Sequence, residues 1–207
     1  MPAGLGHVKS ALFPLGHRRA PAPVNVIKED RKPMSDKKRK YAFSWDLLGG
    51  DYHESRPNLG PDTKVAVYRL FQFTLRDVLE QDYGSETADI LFRRAGVLAG
   101  KCFFEKYCRD TTDLNALVAI IQSKFKELGI GIFRVESVDD QANQFTLNVA
   151  EDLDCSGLPD VDEEICVYDE GFIKGILDSF SGKSFEVREI DCWCTGARVC
   201  RFKAEAK

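Results

Sequence analysis

The chain has 207 residues, 43% hydrophobic and 30% charged, with a formal net charge of −4. That length holds one domain with a full core, or one domain and a tail, and the composition is that of an ordinary soluble chain. No apolar run approaches the roughly 18–20 residues of a membrane helix, and no apolar signal core is seen, so a cytoplasmic protein with no membrane partner is expected.

Residues 1–40 are rich in Pro, Gly, Arg and Lys and carry ten Lys/Arg against three Asp/Glu. They lack apolar periodicity and read as a disordered basic tail. MSDKKRKYAFSW, from Met34, reads as a natural start behind an over-extended one; the Arg content also allows a transit peptide. The rest of the chain is net −11, and an acidic body argues against nucleic acid as a partner. Residues 41–61 are full of turn formers and read as an irregular lead-in to a domain over 62–207.

Three helices follow. VAVYRLFQFTLRDVLEQDYG places Val67, Leu70, Phe71, Thr74, Leu75 and Val78 on one face. SETADILFRRAGVLAGKCFFEKYC starts at Ser85 and carries Ala95, Gly96, Ala99 and Gly100 at helical spacing, where another backbone can approach. DLNALVAIIQSKFKELG runs from Asp113 to a closing Gly129. The period then changes to two in GIFRVESVD and QFTLNVAED. An acidic loop, DLDCSGLPDVDEE, leads to a fourth helix, EEICVYDEGFIKGILDSFSG, and KSFEVREID and VCRFKAEA are the last strands. The order ααα-ββ-α-ββ predicts an α+β fold: an antiparallel sheet of about four strands packed by about four helices.

Seven cysteines, an odd number in a chain of this size, fit a reducing compartment, where clustered Cys is metal-binding or redox-active more often than a disulfide frame. Cys192 and Cys200 flank the TGAR turn, and Cys166 opens the fourth helix. Glu189 lies three residues before Cys192, so an ideal strand puts the two on opposite faces; they converge only if the strand bends near Asp191. Arg188, Arg198 and Arg201, with the N–H groups of the Thr195–Gly196 turn, are candidates to offset thiolate charge. The residue types fit a metal site and fit packed thiols equally well. Cys192 and Cys194 also form a candidate redox pair.

CVYDEGFIKGIL, followed by GKSFEVREIDCWCTGARVCRF, resembles the C-terminal motif of the 4-vinyl reductase domain family. That family includes sensory domains of phenol- and xylene-responsive activators and proteins linked to bacteriochlorophyll synthesis. The resemblance covers about residues 60–205. It implies a fold like the TRAPP trafficking subunits, a homodimer, and a zinc ion held by Cys166, Glu189, Cys192 and Cys200, with Cys194 left out. Four protein ligands would make that zinc structural. It also implies a cavity between helices and sheet for a small apolar or aromatic ligand. Aromatic candidates for its lining are Phe92, Phe103, Phe104, Tyr107, Phe133, Phe145, Tyr168, Phe172 and Trp193, each also a plain core residue. Phenol-sensing members hold the hydroxyl with a His and a Trp. Here His53 precedes the first long helix and Trp193 sits in the cysteine turn, so the ligand class stays open. The chain shows no ATPase or DNA-binding segment, so a sensor of this kind would signal through a separate partner.

Asp152, Asp154, Ser156, Gly157, Asp160 and Glu163 match the ligand positions of a calcium loop, but a strand precedes them and Pro159 interrupts; a solvated acidic loop is the competing reading. No P-loop, dinucleotide fingerprint or Ser-His-Asp set is visible, so no catalytic residue is assigned. A reductase needs an electron source, and the sequence offers no motif for one. A tetrapyrrole vinyl reductase and a thiol redox switch are therefore the alternatives to a zinc-containing binding domain.

Overall fold

The structure is a computed structural model that describes residues 41–207 apart from Asp140. The basic tail expected over 1–40 lies outside the described residues. The lead-in is less irregular than the sequence suggests. A 3-10 turn forms at Trp45–Leu48 and a short helix, α1, at Tyr52–Ser55, whose N-terminus is capped by the Asp51 carboxylate. Trp45 anchors this segment, its indole N–H donating to Tyr107 Oη at 3.0 Å.

Three long helices follow: α2 (Val65–Tyr83), α3 (Ser85–Phe103) and α4 (Leu114–Leu128). Ser85 is the first helical residue of α3 rather than its cap, which is Gly84. Beyond Phe103 the chain continues through a wider π-type turn, Phe104–Cys108. Asp113 caps α4 by accepting the Ala116 N–H at 2.8 Å. Strands β1 (Ile132–Asp139) and β2 (Gln144–Ala150) form a hairpin. Helix α5 (Val167–Ser181) precedes β3 (Phe185–Asp191) and β4 (Cys200–Ala206). The sheet order is β1-β2-β4-β3, with every pair antiparallel. The fold is thus the expected α+β arrangement with a fifth, short helix in front.

Helix α5 is buried nearly all round, from Val167 through Glu170, Gly171, Phe172, Ile173, Gly175, Ile176 and Leu177. Such a helix must be enclosed on several sides. It packs on β3 and against α3. The α3 contact has almost no side chains in it. A Cβ on Gly96 or Gly100 would overlap the carbonyl oxygen of Tyr168 or Phe172, and one on Gly171 or Gly175 would overlap that of Arg93 or Val97. The small residues noted in α3 therefore meet a matching pair in α5. Behind this crossing Phe103, Phe125, Phe133 and Phe172 meet edge to face at centroid distances of 5.5–6.0 Å, a favoured aromatic geometry.

Helix α2 is the exception. Its apolar face turns outward: Leu70 is 66% and Phe71 68% exposed, and Val67, Leu75 and Val78 are exposed with them. Its inner side carries Tyr68, Arg69 and the buried Gln72 instead.

The crossing makes a strong prediction. Gly100→Ala should destabilise the protein by about 3 kcal/mol or more, the upper range for overpacking, because the obstruction is backbone. Gly60→Ala, in open space, should cost far less. Denaturant unfolding of the two variants compares them directly.

Candidate functional site: a buried cysteine cluster

Four elements converge on one pocket of sulfur. Cys166 is the N-cap of α5, Cys192 follows β3, Cys200 opens β4, and Cys155 lies in the loop between β2 and α5. All four are free and wholly buried. Cys155 Sγ lies 3.0 Å from Cys200 Sγ, and Cys166 Sγ lies 3.7 Å from Cys200 Sγ and 3.9 Å from Cys192 Sγ. The four sulfurs all fall within 4.8 Å of one another and can hold a metal ion. Thiols at this spacing share protons unequally. Cys192 is held far below the ordinary thiol range because Cys155, then Cys166 and Cys200, donate to it. Cys166 is pushed well above that range by its contacts with Cys155, Cys192 and Cys200. One sulfur thus already carries negative charge before any cation arrives.

Glu189 lies beside the cluster and is buried. Its Oε2 accepts the Cys166 N–H at 3.0 Å, while Oε1 has no hydrogen-bond partner among the described residues. Burial, and then the negative Cys192, push its carboxyl up to about 9. The bend that brings Glu189 and Cys192 to one side is a register shift of β3 against β4 between Glu189 and Asp191. Gly196, at φ 88°, closes the turn that follows, a left-handed backbone that glycine adopts without strain.

Sequence reasoning missed Cys155. It sits inside the acidic stretch that reads as a calcium loop, and no spacing rule links it to residues 192–200. That stretch does not behave as one ligand loop. Asp152 and Asp154 are buried, whereas Asp160 and Glu163 are exposed. Asp152 Oδ1 accepts the N–H groups of Asp154 at 2.8 Å and Cys155 at 3.3 Å, so it folds the turn that presents Cys155. Burial, then Asp154, push its carboxyl up to about 7. Asp152 and Asp169 also bring ligand atoms near Cys166, a second acidic group sharing that thiol.

The other expected neighbours are placed differently. Arg188 pairs with Glu186 and Glu170, Arg201 with Glu136 and Asp191, and Arg198 lies over the Trp193 ring. The Thr195 and Gly196 N–H groups donate to the carbonyls of Cys192 and Trp193. Cys194 stands outside the four-sulfur group, and burial pushes its thiol up to about 12. Asp169 and Glu170 diverge in role. Glu170 Oε1 accepts the Glu189 N–H at 2.9 Å, and its Oε2 accepts Arg93 Nε at 2.7 Å.

An apolar cavity of about 120 Å³ lies between α4, the sheet and α5. Leu117, Ile121 and Phe125 line it from α4, Phe133, Phe145 and Leu147 from the sheet, and Ile173, Ile176 and Leu177 from α5. Among the described residues, Asn115 is the one polar side chain in its lining. Of the aromatic candidates, Phe133 and Phe145 face it. Phe103, Phe104, Tyr107 and Phe172 belong to or pack against the core, and Tyr168 lies against Phe172. Phe92 sits under Arg76, and Trp193 Nε1 donates to the Leu158 carbonyl. His53 lies on exposed α1.

A four-stranded antiparallel sheet clasping a buried helix, with cysteines at the junction, defines a class that known proteins share. The 4-vinyl reductase (V-4-R) domain matches residues 145–206, which hold the four cysteines and Glu189. The uncharacterized protein MJ1642 of Methanocaldococcus jannaschii is 32% identical over 145 residues, covering 70% of this chain and 79% of that one. The chain belongs to the 4-vinyl reductase domain family. Solved structures share its fold. The phenol-responsive sensory domain of the transcription activator PoxR, with phenol, superposes with a TM-score of 0.55 at 19% identity, over 70% of this chain and 75% of that one. A vinyl-4-reductase family protein from Methanocaldococcus jannaschii gives 0.51 at 18%, over 78% and 93%. A trafficking protein particle complex subunit 3 from Naegleria fowleri, covalently bound to palmitic acid, gives 0.53 at 15%, over 69% and 95%.

The Arg93–Glu170 pair ties α3 to α5 and, through the Glu189 N–H, to the cysteine turn. Arg93→Ala should strand a nearly buried carboxylate and cost about 1–3 kcal/mol, measured by chemical denaturation.

Proposed function

We propose that this protein is a sensory or carrier domain that binds a small apolar or aromatic molecule in the cavity between α4, the sheet and α5, next to a structural zinc. The observation that carries the reading is the cavity itself: about 120 Å³, walled by aliphatic and aromatic side chains. An apolar void of roughly 150 Å³ stays dry and takes a benzene-sized guest. A single ring or a short alkyl group therefore fits this chemistry. Membership of the 4-vinyl reductase domain family, and a fold shared with a phenol-responsive sensory domain, support it. With Asn115 as the one polar lining residue among those described, the ligand is better read as a hydrocarbon than as a phenol. A tetrapyrrole exceeds even the drug-sized ligands that need roughly 300 Å³ or more, so the cavity does not favour the reductase reading.

Zinc suits the cysteine cluster because thiolates bind it at about 2.3 Å, which spaces tetrahedral sulfurs roughly 3.8 Å apart. The Cys166–Cys200 and Cys166–Cys192 separations, 3.7 and 3.9 Å, match that spacing. The C-terminal motif implies Cys166, Cys192 and Cys200 with Glu189 as the ligands, and the buried Oε1 of Glu189 leaves that carboxylate free to serve. Such a zinc would lock the N-terminus of α5 to the β3–β4 turn and so stiffen one end of the cavity wall. The buried free thiols suit a reducing, cytoplasmic setting. The exposed apolar face of α2 suits a homodimer contact through which occupancy would be relayed.

Thermal unfolding with benzene, toluene and naphthalene tests the ligand. At about 100 times Kd a true ligand should raise Tm by roughly 5–10 °C. Val118→Trp, which fills the cavity, should abolish the shift. No shift from any member of the panel would sink the binding reading. Elemental analysis of untagged protein should find about one zinc per chain, lost in Cys200→Ser. Phe71→Glu should convert a dimer to a monomer in sedimentation; a wild-type monomer at high concentration would remove the dimer.

A further inference from the structure

We propose that Cys155 is the fourth thiolate of the metal centre, and that Glu189 acts from outside the sulfur tetrahedron by orienting Cys166. The inference rests on the reading that the cluster holds zinc, and it changes the ligand set that the C-terminal motif alone implies.

Three observations support it. The group of donor atoms that converges is Cys155, Cys166, Cys192 and Cys200, and all four side chains are wholly buried. Zinc binds an all-sulfur set of this kind in closed structural sites. Second, one oxygen of Glu189 is already engaged. Its Oε2 accepts the Cys166 N–H at 3.0 Å, the position of a group that orients a ligand. Its Oε1, buried and without a partner among the described residues, is the rival fourth donor.

The third observation is how firmly the Cys155 turn is built. Asp152 Oδ1 holds the Asp154 and Cys155 N–H groups. The Ser156 N–H returns to the Asp152 carbonyl at 3.0 Å, and the Leu153 N–H reaches the Ile130 carbonyl at 2.9 Å. From α2, Arg69 donates to the Leu153 carbonyl at 2.9 Å and to the Ser156 carbonyl at 2.8 Å, gripping the turn on both sides of Cys155. Tyr68 donates to Asp154 Oδ1 at 2.7 Å. A loop this constrained delivers its thiol in a fixed place, as preorganised ligands require. Ligation by Cys155 would also connect the metal, through that turn, to the helix whose apolar face is exposed.

The test is zinc K-edge X-ray absorption on the full, untagged chain as purified, beside Cys155→Ser and Glu189→Gln. The expected wild-type shell is four sulfurs at about 2.3 Å. Glu189→Gln should keep four sulfurs and lose at most about 100-fold in zinc affinity, the range for an outer residue. Cys155→Ser should show three sulfurs and one lighter atom, with cobalt(II)-substituted protein losing about a quarter of its sulfur-to-metal charge-transfer intensity. A wild-type shell of three sulfurs and one oxygen, unchanged in Cys155→Ser and broken in Glu189→Gln, would overturn the inference and leave the zinc reading standing. Wild-type protein without metal would overturn both. The wild-type spectrum decides even if a variant fails to fold.

Discussion

Helices α3 and α5 cross with glycine against glycine, and most of the architecture follows from how near this lets them come. Gly96 and Gly100 on one side face Gly171 and Gly175 on the other. Side chains there would force the helices apart, and α5 could not be enclosed by α3 and the sheet together. Close approach also places Phe103 of α3 against Phe172 of α5 at 5.5 Å, which starts the aromatic cluster behind the crossing. Burial of that cluster stabilises the fold through apolar area, and the edge-to-face geometry adds a smaller directional gain.

The crossing also fixes the cysteine cluster. Helix α5 begins at Cys166, so whatever sets the helix sets that thiol. Glu170, one turn on, reaches in two directions: to Arg93 on α3 and to the Glu189 N–H on β3. The pair is therefore less a surface ion bridge than a strut between the helical layer and the strand that leads to Cys192. Buried charges of this kind cost desolvation, and they hold geometry when every partner is present. Glu189 repeats the pattern one step further in, accepting the Cys166 N–H. Two carboxylates thus align three elements around the sulfurs.

The cavity and the cluster share α5 and the sheet. Ile173, Ile176 and Leu177 line the cavity, while Cys166 stands at the start of the same helix. Leu147 lines it from β2 and pairs with Phe202, two residues from Cys200 on β4. Rigidity at the sulfur end would leave α4 as the wall freest to respond to a guest. Helix α2 stands apart from this core, joined to it through α3 and through the grip of Tyr68 and Arg69 on the Cys155 turn.

The order of helices and strands was legible in the sequence because periodicity and end signals act within a few residues. Asp113 capping, Gly129 and the change of period at residue 131 are local effects, and they set element type. The close approach of α3 was legible too, since small residues at helical spacing mark it. The part of the site that lay in the CxC stretch and at the start of α5 could be read, as could the need for a bend near Asp191, which the register shift in β3 supplies. Cys155 could not be read, because its nearness to Cys200 comes from the fold of a loop and not from sequence distance. The amphipathic pattern of α2 showed that Leu70 and Phe71 share a face, but pattern cannot say what covers a face. Local chemistry determined which elements form; only tertiary packing decided which of seven cysteines meet and which apolar faces are left exposed, because both depend on contacts between residues far apart in the chain.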